Sequence, residues 1–91
     1  MSDYDGFANW GTWDITNIIW GDRACEMGML LSLVAADDAA LELRETVEEM
    51  ASYEPADGPL RSTLMREGTD NIDWDGLVEY FLAHYTVEEE N

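Results

Sequence analysis

The stretch DDAALELRETVEEMASY, residues 37–53, decides the fold. Its apolar members Ala40, Leu43, Val47 and Met50 recur at three- and four-residue steps, the period of a helix with one buried face. Most remaining positions are acidic. Asp38, Glu42, Glu45 and Glu49 stand at i, i+4, i+7 and i+11, which stacks them along a second face with neighbours about 5–6 Å apart. Glu48 flanks that row, one turn after Arg44, its expected ion-pair partner. Asp37 and Asp38 predict caps for a helix over Ala39–Tyr53, which Pro55 and Gly58 end.

The flanking segments carry the same rhythm. Gly21 breaks the chain and Asp22 is the expected cap of a helix over Arg23–Ala35, with Met27, Leu30, Leu31 and Val34 as its buried stripe. Gly58-Pro59 opens a short helix, with proline at the first helical position where its missing N–H costs nothing. Leu60, Leu64 and Met65 are its apolar members, and Gly68 ends it. Asp73 is placed to cap the last helix, and Ile72 and Leu77 bracket it as a hydrophobic staple. Trp74, Leu77, Val78, Phe81, Leu82 and Tyr85 supply that helix's inner face, and Asp75 lies in its first turn, favourable to the helix dipole. The segment Asn9–Trp20 is divided. Trp10, Trp13, Asn17 and Trp20 fall at helical spacing, with Asn9 or Thr12 as cap, whereas β-branched Thr12, Ile15, Thr16, Ile18 and Ile19 favour a strand. A short helix is the expectation. The fold class that follows is all-α: one domain over residues 1–91, a small bundle of about five short helices, with residues 1–8 as an arm and 88–91 as a frayed acidic tail.

Charge excludes whole classes of function. The chain carries 21 Asp and Glu against four Arg and no Lys, a net charge of −17 over 91 residues. Gripping nucleic acid or an anionic membrane requires clustered cations, so neither is an expected direct partner. Apolar residues make up 46% of the chain, with four Trp, four Tyr and two Phe, which sets it apart from disordered acidic tails. A compact chain of this length is roughly 30 Å across, and about 29 Å of duplex DNA also carries some 17 negative charges. The charge densities therefore match. One cysteine, Cys25, permits no internal disulfide and fits a reducing compartment. Residues 1–7 lack the cation and apolar run of a signal peptide, and the longest apolar stretch, Met27–Ala36, is too short to span a bilayer. A cytoplasmic monomer is the expectation.

Catalytic constellations are weak. Nucleophilic catalysis needs a nucleophile, a base and an orienting group. The only histidine, His84, lies between the core positions Phe81 and Tyr85, and Cys25 lies on a different helix, so neither is assigned a catalytic role. Asn71-Ile72-Asp73-Trp74-Asp75-Gly76 matches the opening of an EF-hand calcium loop, but the twelfth position is Leu82 where a bidentate Glu belongs. The cap and staple account for those residues better. One Cys and one His give no zinc site. No cofactor motif is present. Trp10, Trp13, Trp20 and Trp74 could stack on bases, but only beside a positive groove that this sequence lacks.

What remains is the distribution of acid. Residues 1–36 are net −4, residues 37–58 net −7 and residues 59–91 net −6. Beside the row on the 39–53 helix, Glu67, Asp70, Asp73, Asp75 and Glu79 form a second acidic set around the start of the last helix. An exposed helix face normally interleaves Lys with Glu. Here only Arg44 interrupts the row, whose spacing is similar to that of successive phosphates along a strand. Two readings follow. Either the carboxylates mimic a nucleic-acid backbone, or their charge serves solubility in a halophile or its virus, in which case the working surface is an aromatic patch near Trp10 and Trp13.

Asn9-Trp10-Gly11-Thr12-Trp13-Asp14, followed by Trp20 and Asp22, resembles an N-terminal signature, roughly Asn-aromatic-x-Thr-Trp-Asn, of small acidic proteins encoded by phages and mobile elements. Ile72-Asp73-Trp74-Asp75 through Glu79, Phe81 and Leu82 is similar to the closing helix of that group. The likeness covers about 25 of 91 residues and departs at Gly11, where an acid is usual, and at Asp14, where Asn is usual. Proteins of this general kind include anti-CRISPR and antirestriction DNA mimics, so the resemblance implies a non-enzymatic host-defence inhibitor. The resemblance does not identify the target; the mimicry reading of the carboxylates takes a positively charged DNA-binding protein as partner, a CRISPR effector subunit or a restriction enzyme. Asp38, Glu42, Glu45, Glu48 and Glu49 would be the first surface, and Glu67, Asp70, Asp73, Asp75 and Glu79 the second.

Overall fold

The computed structural model describes residues 6–89, with side chains through Tyr85. Five α-helices and one 3-10 turn follow one another: α1 (Trp10–Ile18), α2 (Asp22–Ser32), α3 (Ala36–Ser52), α4 (Pro59–Glu67), the turn Thr69–Asn71, and α5 (Trp74–Glu89). The described residues contain no strand. The small all-α bundle expected from the sequence is the fold, with a radius of gyration of 12.7 Å. Residues 1–5 of the expected N-terminal arm, and Glu90 and Asn91 of the expected tail, lie outside the described residues. Among the described residues no helix is long and apolar enough to cross a membrane.

The divided segment at the N-terminus is a helix. Asn9 caps α1, its side-chain oxygen accepting the Thr12 N–H at 3.0 Å. The β-branched residues that favoured a strand point inward instead. Thr12, Ile15 and Ile19 are fully buried, and the burial outweighs a helix-propensity cost of a few tenths of a kcal/mol each. Gly21, at φ +64°, turns the chain into α2 and is its N-cap, so Asp22 is the first helical residue and not the cap. That helix stops at Ser32, three residues earlier than the spacing predicts, where the Ser32 hydroxyl donates back to the Met29 carbonyl at 2.6 Å.

Helix α3 also starts early. Ala35 is its N-cap and provides no side-chain bond, while Asp37 and Asp38 lie inside the first turn. They act on the helix dipole and do not cap it. The innermost positions of α3 are Ala39, Leu43, Val47 and Ala51, with Ala40 and Met50 half-buried beside them. In α4 the inner face is Leu60, Thr63 and Leu64, and Met65 is 79% exposed, against expectation. A step of 100° per residue turns Met65 outward once Leu64 faces the core. Asp73 caps α5, accepting the Gly76 N–H at 3.1 Å, and Ile72 and Leu77 are buried in the core around it.

The core joins Ile15, Ile19, Met27, Leu31, Leu43, Val47, Leu60, Leu77 and Phe81 from all five helices. Its most extensive packing is between α2 and α5. Gly28 permits that closeness. A Cβ placed there would meet the Phe81 carbonyl oxygen and lie 2.6 Å from the Tyr85 Cβ. The obstacle is helix backbone, which cannot step aside as a flexible side chain can. Gly28→Ala should therefore destabilise the fold by about 2 kcal/mol, although alanine is the better helix former. Urea unfolding checks this, and a stabilised variant would contradict the close approach.

Candidate acidic interface

Helix α3 builds the first acidic surface. Its inner residues are held by the core, so the opposite side faces solvent by necessity. At 100° per residue, Asp38, Glu42, Glu45 and Glu49 fall within about 60° of arc and extend roughly 16 Å along the axis. Asp38, Glu45 and Glu49 are exposed and Glu42 is half-buried. None of the four has a cation within 4 Å among the described residues. Glu48 stands apart. Its carboxylate lies 3.8 Å from Arg44, and the same guanidinium donates to Asp70 at 2.7 Å. The expected Arg44–Glu48 pair is present, and Asp70 joins it from the 3-10 turn. Four charges over about 16 Å is one per roughly 5.5 Å, sparser than the one charge per 3.4 Å of axis of a single DNA strand.

The second acidic set is used differently. Glu67 accepts the Gly11 N–H at 2.8 Å through its carboxylate, closing a contact between α4 and α1. Asp73 is the α5 cap. Asp70 is held by Arg44. Only Asp75 and Glu79 stand as exposed, unpaired carboxylates of that set among the described residues. Arg44 projects about 100° around α3 from Glu45, so the Asp70 side is a different face of the helix from the four-carboxylate row. The structure thus brings Asp38, Glu42, Glu45 and Glu49 together, sets Glu48 and Asp70 on an edge where they share Arg44, and gives Glu67 and Asp73 to the fold.

The N-terminal signature is where the fold closes. Asn9 donates through Nδ2 to the Asn71 carbonyl at 2.7 Å. Arg66 lies over the Trp10 ring, 4.8 Å from its centroid. A Cβ on Gly11 would stand 2.5 Å from the Glu67 side chain, so only glycine fits there. The Thr12 hydroxyl donates to Asn9 Oδ1 at 2.7 Å and accepts the Asp73 N–H at 2.9 Å. The Thr63 hydroxyl donates to Asp14 at 2.7 Å. These residues tie α1 to α4 and to the start of α5, joining the two ends of the chain that carry the resemblance. Residues of the calcium-loop-like segment serve the same junction, since Asn71 Nδ2 donates to the Glu67 carbonyl at 2.9 Å.

Some exposed apolar residues were missed by periodicity. Leu41, 58% exposed, interrupts the acidic side of α3, and Tyr53 is 82% exposed just past its end. Their only sequence signal is an apolar residue off the inner stripe. The expected aromatic patch at Trp10 and Trp13 is displaced: both are half-buried, and Trp20 is the exposed one at 70%. His84 lies on the Tyr80 ring, with Nδ1 3.1 Å from the Tyr80 carbonyl oxygen, and burial pushes the Tyr80 phenol above its ordinary pKa. Among the described residues no three His, Cys, Asp or Glu are grouped to hold a metal ion.

Compared with known protein families, curated proteins and solved structures, the chain gives no significant match.

Thr12→Val keeps the shape and removes the fully buried hydroxyl, leaving the half-buried Asp73 N–H without its acceptor. The loss should be about 2 kcal/mol, while Thr12→Ser, which keeps the hydroxyl, should lose less than about 1 kcal/mol. Parallel urea titrations of the two variants test the junction, and equal stabilities would contradict it.

Proposed function

We propose that the protein is a non-enzymatic inhibitor that mimics DNA and occupies the positively charged DNA-binding groove of a host-defence protein, foremost a CRISPR effector subunit. The observation that carries this reading is the row Asp38, Glu42, Glu45 and Glu49, four carboxylates on one face of α3 without an internal counter-charge. A groove that grips phosphates does so with Lys and Arg. A helix presenting acids in a row competes for the same cations. The net charge of −17 adds long-range attraction that raises the association rate at low salt. Asp75 and Glu79 are the remaining unpaired acids of the second set and add to the field of the whole molecule. A restriction enzyme as target is the same chemistry with a different victim. The reading needs no cofactor and no catalytic residue, and at low salt the inhibitor acts as a monomer.

Reversal of Glu42, Glu45 and Glu49 to Lys should weaken binding to the cationic target by more than about tenfold, the effect of losing 1.4 kcal/mol. The same number of reversals at Asp22, Glu26 and Asp57, which are exposed elsewhere, should cost far less. Circular dichroism confirms that both variants are folded, and binding is read by titration at low salt. Equal losses from the two variants would reduce the row to bulk charge and sink it as the site.

A further inference from the structure

Where α1 and α2 meet α3 and α4, the molecule carries a second kind of surface. Trp20 is 70% exposed, the most exposed of the four tryptophans. It lines a shallow hollow with Ile18 and Arg23, and those two residues also line a groove of about 570 Å³. The groove floor is apolar, made by Ile19, Met27, Leu30, Met50 and Leu60. Arg23 is exposed, and its guanidinium makes no ion pair or hydrogen bond with any described residue. Glu26, one turn along α2, is also exposed and also lacks an ion pair, although the two stand at i, i+3. An exposed Trp, an unpaired Arg and an empty apolar groove therefore lie side by side. Trp and Arg are the residue types that dominate protein–protein contacts.

We propose that this face binds a second copy of the chain, through reciprocal insertion of Trp20 into the partner copy's groove. Two observations select a second copy as the occupant. The knob and the hole lie adjacent on one face, which is what a two-fold contact requires, since each surface must complement itself. Arg23 and Glu26 supply both signs of charge, so a two-fold axis sets each Arg23 against the other copy's Glu26. A typical stable interface buries about 800 Å² per partner, roughly one seventh of this chain's 5826 Å². Two exchanged Trp side chains, each burying about 150–250 Å², supply a substantial part of that area. The contact is small, and two bodies of −17 repel each other, so it is a weak dimer whose formation depends on screening. Its salt dependence has the opposite sign to that of binding to a cationic target: target binding weakens as salt rises, and self-association strengthens.

Sedimentation equilibrium at about 0.1 M and 1 M NaCl tests this, since the Debye length falls between them from about 10 Å to 3 Å. The chain should be monomeric in the first and show a monomer–dimer equilibrium in the second. Trp20→Ala should weaken the dimer about 30-fold, the effect of losing a contact worth 2 kcal/mol. Because Trp20 is exposed, circular dichroism should show that variant folded. Arg23→Glu alone should also weaken the dimer, and Arg23→Glu with Glu26→Arg should restore it, because the exchange preserves the pairing across the two-fold. A chain that stays monomeric at 1 M salt, a dimer that survives Trp20→Ala, or a double exchange that fails to rescue would each overturn the proposal. So would a foreign protein that engages Trp20 while the chain itself does not associate.

Discussion

The Thr12 hydroxyl stands where α1 meets the start of α5. It receives the Asp73 backbone N–H and passes its own proton to Asn9, the cap of α1, so one buried oxygen couples the starts of two helices 61 residues apart. A buried amide without an acceptor costs about 1–3 kcal/mol, a large share of the margin on which a domain of this size stands. Around it, Gly11 admits Glu67, Asn9 reaches Asn71, and Asp14 takes the Thr63 proton. The bundle closes through short polar contacts at one end and through apolar packing elsewhere.

This arrangement decides how the chain lives with its charge. Net −17 makes the compact state repel itself, and four arginines cannot neutralise 21 acids. The fold uses carboxylates as acceptors where backbone N–H groups need them, at Glu67 and Asp73, and turns others outward. Arg44 draws Glu48 and Asp70 together, Arg66 lies on Trp10, and Arg61 donates to the Glu54 carbonyl at 3.0 Å. None of these three cations reaches the row at Asp38, Glu42, Glu45 and Glu49 within 4 Å. The row keeps its full charge and its rigidity, the two properties that a competitor for a phosphate-binding groove requires.

The helices were legible because burial imposes a period on the chain. Leu43 and Val47, Leu60 and Leu64, and Leu77 and Phe81 all repeat at four residues and all lie in the core. Boundaries were less legible where backbone geometry sets them without a side-chain signal. Ala35 opens α3 with no acceptor of its own, and Gly21 opens α2 through its φ alone. The polar junction left no trace in the sequence, since Asn9–Asn71, Gly11–Glu67 and Asp14–Thr63 are tertiary contacts between distant segments and carry no period. For the same reason the α3 row could be read from spacing within one helix, and Asp73 from its place as a cap, whereas nothing local separates Glu67, which holds the fold, from Asp75 and Glu79, which face solvent. Trp20 looked like one more member of an aromatic helix face, and it emerges exposed because α1 ends before it and Gly21 turns the chain.

The account rests on the claim that the uncompensated carboxylates of α3 occupy a site otherwise held by DNA. Competition measures this most directly. The immobilised chain is incubated at low salt with lysate of the cells in which it occurs, and the captured protein is challenged with duplex DNA. The account predicts a nucleic-acid-binding protein with a cationic groove, displaced by DNA and released as salt rises, because each contact is a screened ion pair. A captured partner that binds the chain and DNA together, or that holds equally well in high salt, would contradict it.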